Sequence, residues 1–355
     1  MGHPEPLIAQ TFYESVAEAV EKGSSPNTLI MLQPGAPYAC VGYHQDIEKE
    51  IDLEYCRSIG LPIIRRSQGG GATYLDGNQV FYQIVAKNTE AYPPTVDAMF
   101  KKLLAVTVET YRRLGVPAEF KPLNDVVVKG KKISGNGASM NGSTSILVGN
   151  IILDMNYDMM ARVLRVPDEK FRDKMAKSMR EWVSSLKREL PNPPDGEEVK
   201  RVYTKTFQDL LGVQLTNAEP TAEEWRIYDT ETKPRNQSRE WLYMEAPYST
   251  RKPGRAVKIA HEVKIVESDY KAGKLIRVRA EMKGEEILDL RITGDFFSIP
   301  KEAIFHLEEV LRGIHLDEAL LRSEIGQFYA KEKPEIPGVS PEDMVQAILK
   351  IKTML

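Results

Sequence analysis

Two arginines run directly into three glycines in Arg65-Arg66-Ser67-Gln68-Gly69-Gly70-Gly71-Ala72-Thr73-Tyr74, an order that suits a place where backbone must approach an anion. The guanidinium groups supply fixed positive charge, and glycines without a Cβ let main-chain amides come close to phosphate or carboxylate oxygens. The apolar run Leu61-Pro62-Ile63-Ile64 reads as a strand, which puts the glycines at or just past a strand end. A glycine triplet by itself is equally an ordinary turn. A second constellation, Asn124-Asp125-Val126-Val127-Val128-Lys129-Gly130-Lys131-Lys132-Ile133-Ser134-Gly135-Asn136-Gly137, shifts that balance. Its β-branched run, glycine turn and returning Lys-Ile-Ser-Gly describe a strand, a tight turn and a second strand edged by polar groups. Lys129 and Lys131 suit a solvated hairpin tip. Lys132 is followed by an apolar residue, a serine and a glycine, so it falls where the strand returns to the sheet. From there a compact ammonium can act on a phosphate or an acyl oxygen.

The elements that must hold these residues are mixed. Ala9 to Lys22 has helical spacing, with Phe12, Val16, Ala19 and Val20 on one face. Asn27 to Gln33 and Ala39 to Tyr43 read as strands, Leu53 to Ile59 as a short helix and Gln79 to Ala86 as a strand. A long helix is predicted from about Thr95 to Leu114, started by Pro93-Pro94 and stopped by Gly115. Ser145 to Asp154 reads as a buried strand, Met159 to Leu164 as a short helix and Glu197 to Leu211 as a helix closing a first domain. The polar stretch Asp229 to Arg239 reads as a linker. Beyond it, strands around Ala256 to Val266, Lys274 to Met282 and Glu286 to Ile292 would be covered by a helix from Lys301 to Arg312, and Ser340-Pro341 begins a last helix. The expected fold is α+β: a catalytic domain over residues 1–228 with a mixed sheet and flanking helices, and a small α+β accessory domain over 240–355.

The 355 residues suffice for two cores. A net charge of −3 argues against nucleic acid as the partner. The two cysteines, Cys40 and Cys56, make neither a disulfide framework nor a metal-ligand spacing. The start Met1-Gly2-His3-Pro4-Glu5-Pro6 shows no basic leader or apolar h-region, and no stretch has the ~18 consecutive apolar residues of a span. A cytoplasmic chain without a membrane anchor is the expectation.

Arg-Arg-x-x-Gly-Gly-Gly-Ala, then Tyr74-Leu75-Asp76-Gly77-Asn78, Asn124-Asp125-Val-Val-Val and Lys132-Ile-Ser-Gly together resemble the lipoate-protein ligase family, relatives of biotin-protein ligases and octanoyltransferases. Val41-Gly42-Tyr43-His44-Gln45 is similar to the family's lipoyl-pocket segment. Val166-Pro167-Asp168-Glu169-Lys170-Phe171-Arg172-Asp173-Lys174 resembles the archaeal-type ligases, and Gly294-Asp295-Phe296-Phe297 the family's accessory domain. About residues 5 to 215 look like the catalytic domain. The resemblance implies a class II aminoacyl-tRNA synthetase or biotin ligase-like fold. The implied reaction joins lipoate and MgATP into lipoyl-adenylate and pyrophosphate, and then acylates a lysine of an apo lipoyl-accepting protein. That acceptor would be a lipoyl domain, a glycine-cleavage H-like protein or a dedicated lipoate-binding protein.

On this resemblance Lys132 is the catalytic residue, contacting the α-phosphate and the lipoyl carbonyl. Arg66, Gln68, Gly70, Gly71, Ala72, Asn78, Asn124, Asp125 and Gly137 would bind ATP and the adenylate, with Gln79 as the alternative to Asn78 and Asp125 also facing Mg2+. Val41, Gly42, Tyr43, His44, Val148 and Gly149 would line the lipoyl pocket. Departures matter. Val148-Gly149-Asn150 stands where many relatives have His-Gly-Thr, Gly137 stands where alanine is usual, and the aspartate-bearing turn after the glycines is one residue shorter. Octanoyl transfer without ATP, by a cysteine or a lysine-assisted thioester exchange, is the competing enzyme class, although neither cysteine has a base beside it in the sequence. A biotin ligase is disfavoured by its different glycine-arginine-glycine loop, and a non-catalytic lipoyl-binding scaffold or sensor by Lys132 and Arg66.

Overall fold

The computed structural model describes residues 1–87, 95–166, 169–249 and 263–355. The chain divides into two compact units. The first comprises Met1–Val41, Glu48–Arg66 and Ala72–Asn236, and the second Gly42–Ile47, Ser67–Gly71 and Gln237–Leu355.

The strands of the first unit are β1 (Thr28–Leu32), β2 (Tyr38–Val41), β3 (Ile63–Arg65), β4 (Thr73–Leu75), β5 (Gln79–Lys87), β6 (Glu119–Lys121), β7 (Asp125–Val128), β8 (Lys131–Ser134), β9 (Asn136–Asn141) and β10 (Thr144–Ile152). β1, β5, β10 and β9 lie in that order in one antiparallel sheet. The helix Pro6–Glu21 begins with its proline in the first turn, where the missing N–H costs nothing. It buries Phe12, Tyr13, Val16 and Val20 in one cluster with Leu32, Phe81, Val85 and Ile146. β2 pairs in parallel with β3 and antiparallel with β4, giving the mixed sheet the sequence leads one to expect. A third sheet, β6-β7-β8, contains the hairpin with Lys132.

Tyr111, fully buried on the helix Val96–Arg113, fastens this hairpin. Its hydroxyl donates to the Ile133 carbonyl at 2.5 Å and accepts from the Ile152 N–H at 3.2 Å, tying β8 to β10. Burial holds that phenol far above its ordinary pKa, so it stays a donor.

The stretch Asp229 to Arg239, which its polarity marks as a linker, is instead largely helical. A π-helical turn spans Tyr228–Thr232 and an α-helix spans Lys233–Gln237. Its polar residues have partners on the first helix: Ser15 Oγ donates to Thr232 Oγ1 at 2.9 Å, and Arg235 pairs with Glu14. Trp225 and Tyr228 pack against Phe12, with ring centroids 4.6 and 5.5 Å away. Polarity that is unpatterned along the chain is satisfied across the fold. The Pro93-Pro94 helix start lies outside the described residues, as do residues 256–262 of one expected strand.

In the second unit β11 (Val263–Lys271), β12 (Leu275–Lys283) and β13 (Glu286–Gly294) form an antiparallel meander. Alternating residues Ile276, Val278, Ala280 and Met282 enter a core with Ile304, Leu307, Ile325, Val345 and Ile348 from the helices Ala303–Val310, Glu318–Glu332 and Pro341–Leu349. Ser340 and Asp343 complete a reciprocal capping box at the last of these, a motif in which the serine cap is worth about 1 kcal/mol. The helices Glu169–Trp182 and Glu318–Glu332 were not expected from sequence. Among the described residues no helix is long and apolar enough to cross a membrane.

Candidate active site

Lys132 and Asp125 face each other across the β7–β8 hairpin, with Nζ 2.7 Å from Oδ1 and side chains 40% and 31% exposed. A pair this open to water is worth about 0 to 1 kcal/mol. The ammonium is therefore held in place and remains available to a ligand anion. The backbone beneath is fixed: Lys132 pairs in parallel with Val183, and its carbonyl accepts from the Ser184 N–H at 2.8 Å.

The turn after β8 is built on side-chain amides. Asn124 Nδ2 donates to the Asn136 carbonyl at 2.7 Å, and Asn136 Nδ2 donates back to the Asn124 carbonyl at 3.0 Å. Asn150 Oδ1 accepts from the Gly135 N–H at 2.8 Å while its Nδ2 donates to Gln79 Oε1 at 2.9 Å. The buried Tyr82 hydroxyl donates to Asn136 Oδ1. Gly137 pairs with Val148 and Gly149 with Asn136, so the segment replacing the usual His-Gly-Thr lies directly beside this turn. A Cβ on Gly149 would strike Asn136 Oδ1 and the Tyr82 hydroxyl. Asn150 and Tyr82 are residues that the sequence alone did not assign to the site. The signal for Asn150 is present, since it is the polar member of the departing triplet, but only the fold shows it reaching Gly135. Asn78 lies exposed in the β4–β5 turn, where its N–H donates to Asp76 Oδ1 at 2.9 Å. It is the buried Gln79 that joins the amide network.

Arg66 follows β3 in the first unit, its backbone N–H donating to the Val41 carbonyl at 3.0 Å and Nη1 to Cys40 Sγ at 3.4 Å. Ala72 also belongs to the first unit, whereas Gln68, Gly70 and Gly71 belong to the second. Within the second unit the Gly70 amide, expected to face a phosphate, donates to the Phe296 carbonyl at 3.1 Å. Gly69 explains one glycine of the triplet in another way: a Cβ there would lie 2.8 Å from Phe297 Cα. The triplet is thus partly a packing requirement.

Val41 ends β2 in the first unit. Gly42, Tyr43 and His44 belong to the second, and there Tyr43 and His44 are buried among apolar groups. The Tyr43 ring lies 5.8 Å from Trp241 and 5.9 Å from Phe305, and His44 lies 5.1 Å from Phe296. His44 Nε2 is 2.8 Å from the Lys301 carbonyl, and the His44 carbonyl accepts from the Gly294 N–H at 3.2 Å. Val148 is partly buried against the core of the first unit.

Both cysteines are fully buried. Burial pushes the Cys40 thiol up despite the opposing charge of Arg66, and it pushes Cys56 up to about 11. Nucleophilic thiols need the opposite shift. Among the described residues no three His, Cys, Asp or Glu side chains cluster to hold a metal ion. Asp125, paired with Lys132, is a single carboxylate, and magnesium commonly takes only one or two protein carboxylates, so this residue would fit such an ion if phosphate oxygens supplied its other ligands.

An α+β unit with a cationic hairpin and an amide-braced turn has a surface suited to handling anions. Residues 5–208 match the family described as lipoyl protein ligase A/B catalytic domain, and the chain belongs to that family. Lipoate-protein ligase LplJ of Bacillus subtilis is 26% identical over 80% of each chain. Octanoyltransferase LipM of Geobacillus kaustophilus is 24% identical over 68% of this chain and 95% of its own. The bi-partite lipoate protein ligase of Thermoplasma acidophilum, studied with its E2 lipoyl domain, superposes with a TM-score of 0.61 at 26% identity, covering 69% of this chain and 94% of that one.

Proposed function

We propose that this protein is an ATP-dependent lipoate-protein ligase acting in the cytoplasm, with catalysis in residues 1–228 and an accessory role for 240–355. A lipoate carboxylate oxygen attacks the α-phosphorus of ATP, and the bond to pyrophosphate breaks. An acceptor lysine amine then attacks the acyl carbon, AMP leaves, and the amine's proton passes to solvent. Lys132 is suited to both steps, because negative charge grows first on the α-phosphate and then on the acyl oxygen. Arg66 and the amides of Gly71 and Ala72 would share the phosphate charge, with Gln68, Gly70, Asn78 and Gly137 in supporting contacts. Asn124 and Asp125 would orient the nucleotide and the magnesium it carries. Val41, Gly42, Tyr43, His44, Val148 and Gly149 remain the proposed lipoyl wall.

The relatives include both ligase and octanoyltransferase names, and the observation that favours ligation is the state of the thiols. A cysteine-based acyl exchange needs an accessible thiolate, whereas Cys40 and Cys56 are buried with raised pKa values. The test is the intact mass of apo lipoyl-domain and H-like acceptors incubated with the protein, lipoate and MgATP, beside an ATP-free reaction supplied with octanoyl carrier protein. A lipoyl increment that requires ATP supports the ligase. An octanoyl increment without ATP overturns it in favour of the transferase.

A further inference from the structure

The helix Glu169–Trp182 carries a feature that the proposed chemistry does not use. Phe171, Met175, Ser178 and Trp182 follow one another at intervals of four, three and four residues, so they share one helical face. That stripe is open at both ends, with Phe171 52% and Trp182 66% exposed, while Ala176 is buried. Lys174 and Lys177 are exposed at one flank. Residues 169–188 contain seven basic and three acidic residues in a chain whose net charge is −3. Some of this charge is locally answered, by Asp52 at Arg172, Asp158 at Arg180 and Asp154 at Lys187. Glu181 is exposed on the same flank, so Lys174 and Lys177 give the stripe a rim with an excess of positive charge.

Single exposed apolar residues need no explanation, but Trp182 is held rather than frayed. Arg188 Nη1 donates to the Arg180 carbonyl at 2.7 Å and to the Val183 carbonyl at 2.6 Å, so the chain on either side of Trp182 is clamped. The Tyr157 hydroxyl also donates to the Val183 carbonyl, at 3.1 Å, and the guanidinium groups of Arg180 and Arg188 each lie 5.7 Å from the Tyr157 ring centroid. An exposed tryptophan on a clamped backbone is an anchor whose main-chain ordering cost is already met. The next residue, Val183, is the bridge partner of Lys132.

We propose that this stripe is the docking surface for the acceptor protein, which would present an apolar contact edged by Asp and Glu side chains close to its target lysine. The inference rests on the ligase reading, since only the second half-reaction brings a protein amine to the neighbourhood of Lys132. Its location fits that need: an acceptor reaching Lys132 along β8 meets Trp182 one residue beyond the bridge. The lysine rim supplies the charge complementarity and steers the encounter.

The test uses the full chain, its Trp182→Ala variant and a Lys174→Glu/Lys177→Glu variant, each checked by circular dichroism. The acceptor is whichever apo lipoyl-domain or H-like protein the parent modifies. Lipoate-dependent exchange of pyrophosphate into ATP reads the first half-reaction, and acyl transfer against acceptor concentration reads the second. Trp182→Ala should raise the acceptor KM about tenfold or more, as loss of an interface tryptophan typically does. Pyrophosphate exchange should stay within about twofold, the spread of an unaffected step. The double lysine variant should raise KM most at low salt and least at high salt. Unchanged acceptor KM in both variants, or exchange falling in parallel with transfer, overturns the docking surface. If acyl transfer instead proceeds without ATP, the ligase reading fails, yet acceptor KM in the same variants still decides whether the stripe docks it.

Discussion

At the residue scale the proposed chemistry turns on Lys132, whose bond to Asp125 is geometrically good and energetically small. Lys132→Ala should therefore leave the thermal midpoint within a few degrees, since an exposed ion pair is worth ~1 kcal/mol or less. Lipoate-dependent pyrophosphate exchange should fall by about a hundredfold or more, the scale of losing one preorganised electrostatic contact. A large drop in melting temperature that accounts for the lost activity would count against a catalytic role. The cysteines make a separate prediction about pH. Burial raises Cys56 from its ordinary 9.0 to about 11 in the folded chain, so the unfolded state releases its proton first as pH rises. The contribution is complete below pH 9 and is lost as pH climbs toward 11. Urea midpoints measured between those values should fall less steeply in Cys56→Ala than in the parent. Equal slopes would show that this thiol does not contribute. The hairpin that carries Lys132 is legible in the sequence, because the lysine and its neighbours are contiguous. The role of Asn150 is not, because its partners Gly135 and Gln79 are distant in sequence.

At the element scale the β8–β9 turn is a structure of side-chain amides, and its integrity should control catalysis through the position of Lys132. Asn150→Ala leaves the Gly135 N–H and Gln79 without their partner, at a cost of about 1 to 3 kcal/mol if water cannot replace it. It should lower the adenylation kcat more than it raises the lipoate KM, because the turn positions Lys132. Asn150→Asp keeps the acceptor for Gly135 and loses the donor to Gln79, so its activity should fall between the two. Equal behaviour of the two variants would reject the positioning role. Gly149→Ala should be harsher, since its Cβ enters space held by Asn136 and Tyr82, and overpacking commonly costs about 1 to 3 kcal/mol. A melting temperature equal to the parent's would contradict that. The elements themselves followed from periodicity and punctuation in most cases, as in the helix Pro6–Glu21, β5, β10 and the meander β11–β13. Local pattern fails at 229–239, where the determinants of helix are the distant Glu14 and Ser15, and no local window contains them.

At the scale of the whole molecule, the compact units do not follow chain order. The second takes Gly42–Ile47 and Ser67–Gly71 from the N-terminal half of the sequence, a division that linear composition shifts cannot reveal. Those short segments carry Tyr43 and His44, buried among Phe296, Phe305 and Trp241, and Gly70, bonded to the Phe296 carbonyl. The proposed lipoyl wall and phosphate loop are therefore packed in part by residues from beyond position 236. A chain cut after Gln214 would also lose Trp225, Tyr228 and Arg235, which brace the first helix, so it would confuse loss of fold with loss of function. Cutting after Asn236 spares those contacts. The 1–236 fragment should keep cooperative unfolding, while hydrogen exchange accelerates selectively at residues 42–47 and 67–71, whose protection the removed segment supplies. Pyrophosphate exchange should fall by about tenfold or more, since misplacement of binding groups by about 1 Å can cost still more than that. A fragment that exchanges pyrophosphate at the parent's rate would show that these loops adopt their working arrangement without the C-terminal segment, and the accessory role would then belong to transfer alone.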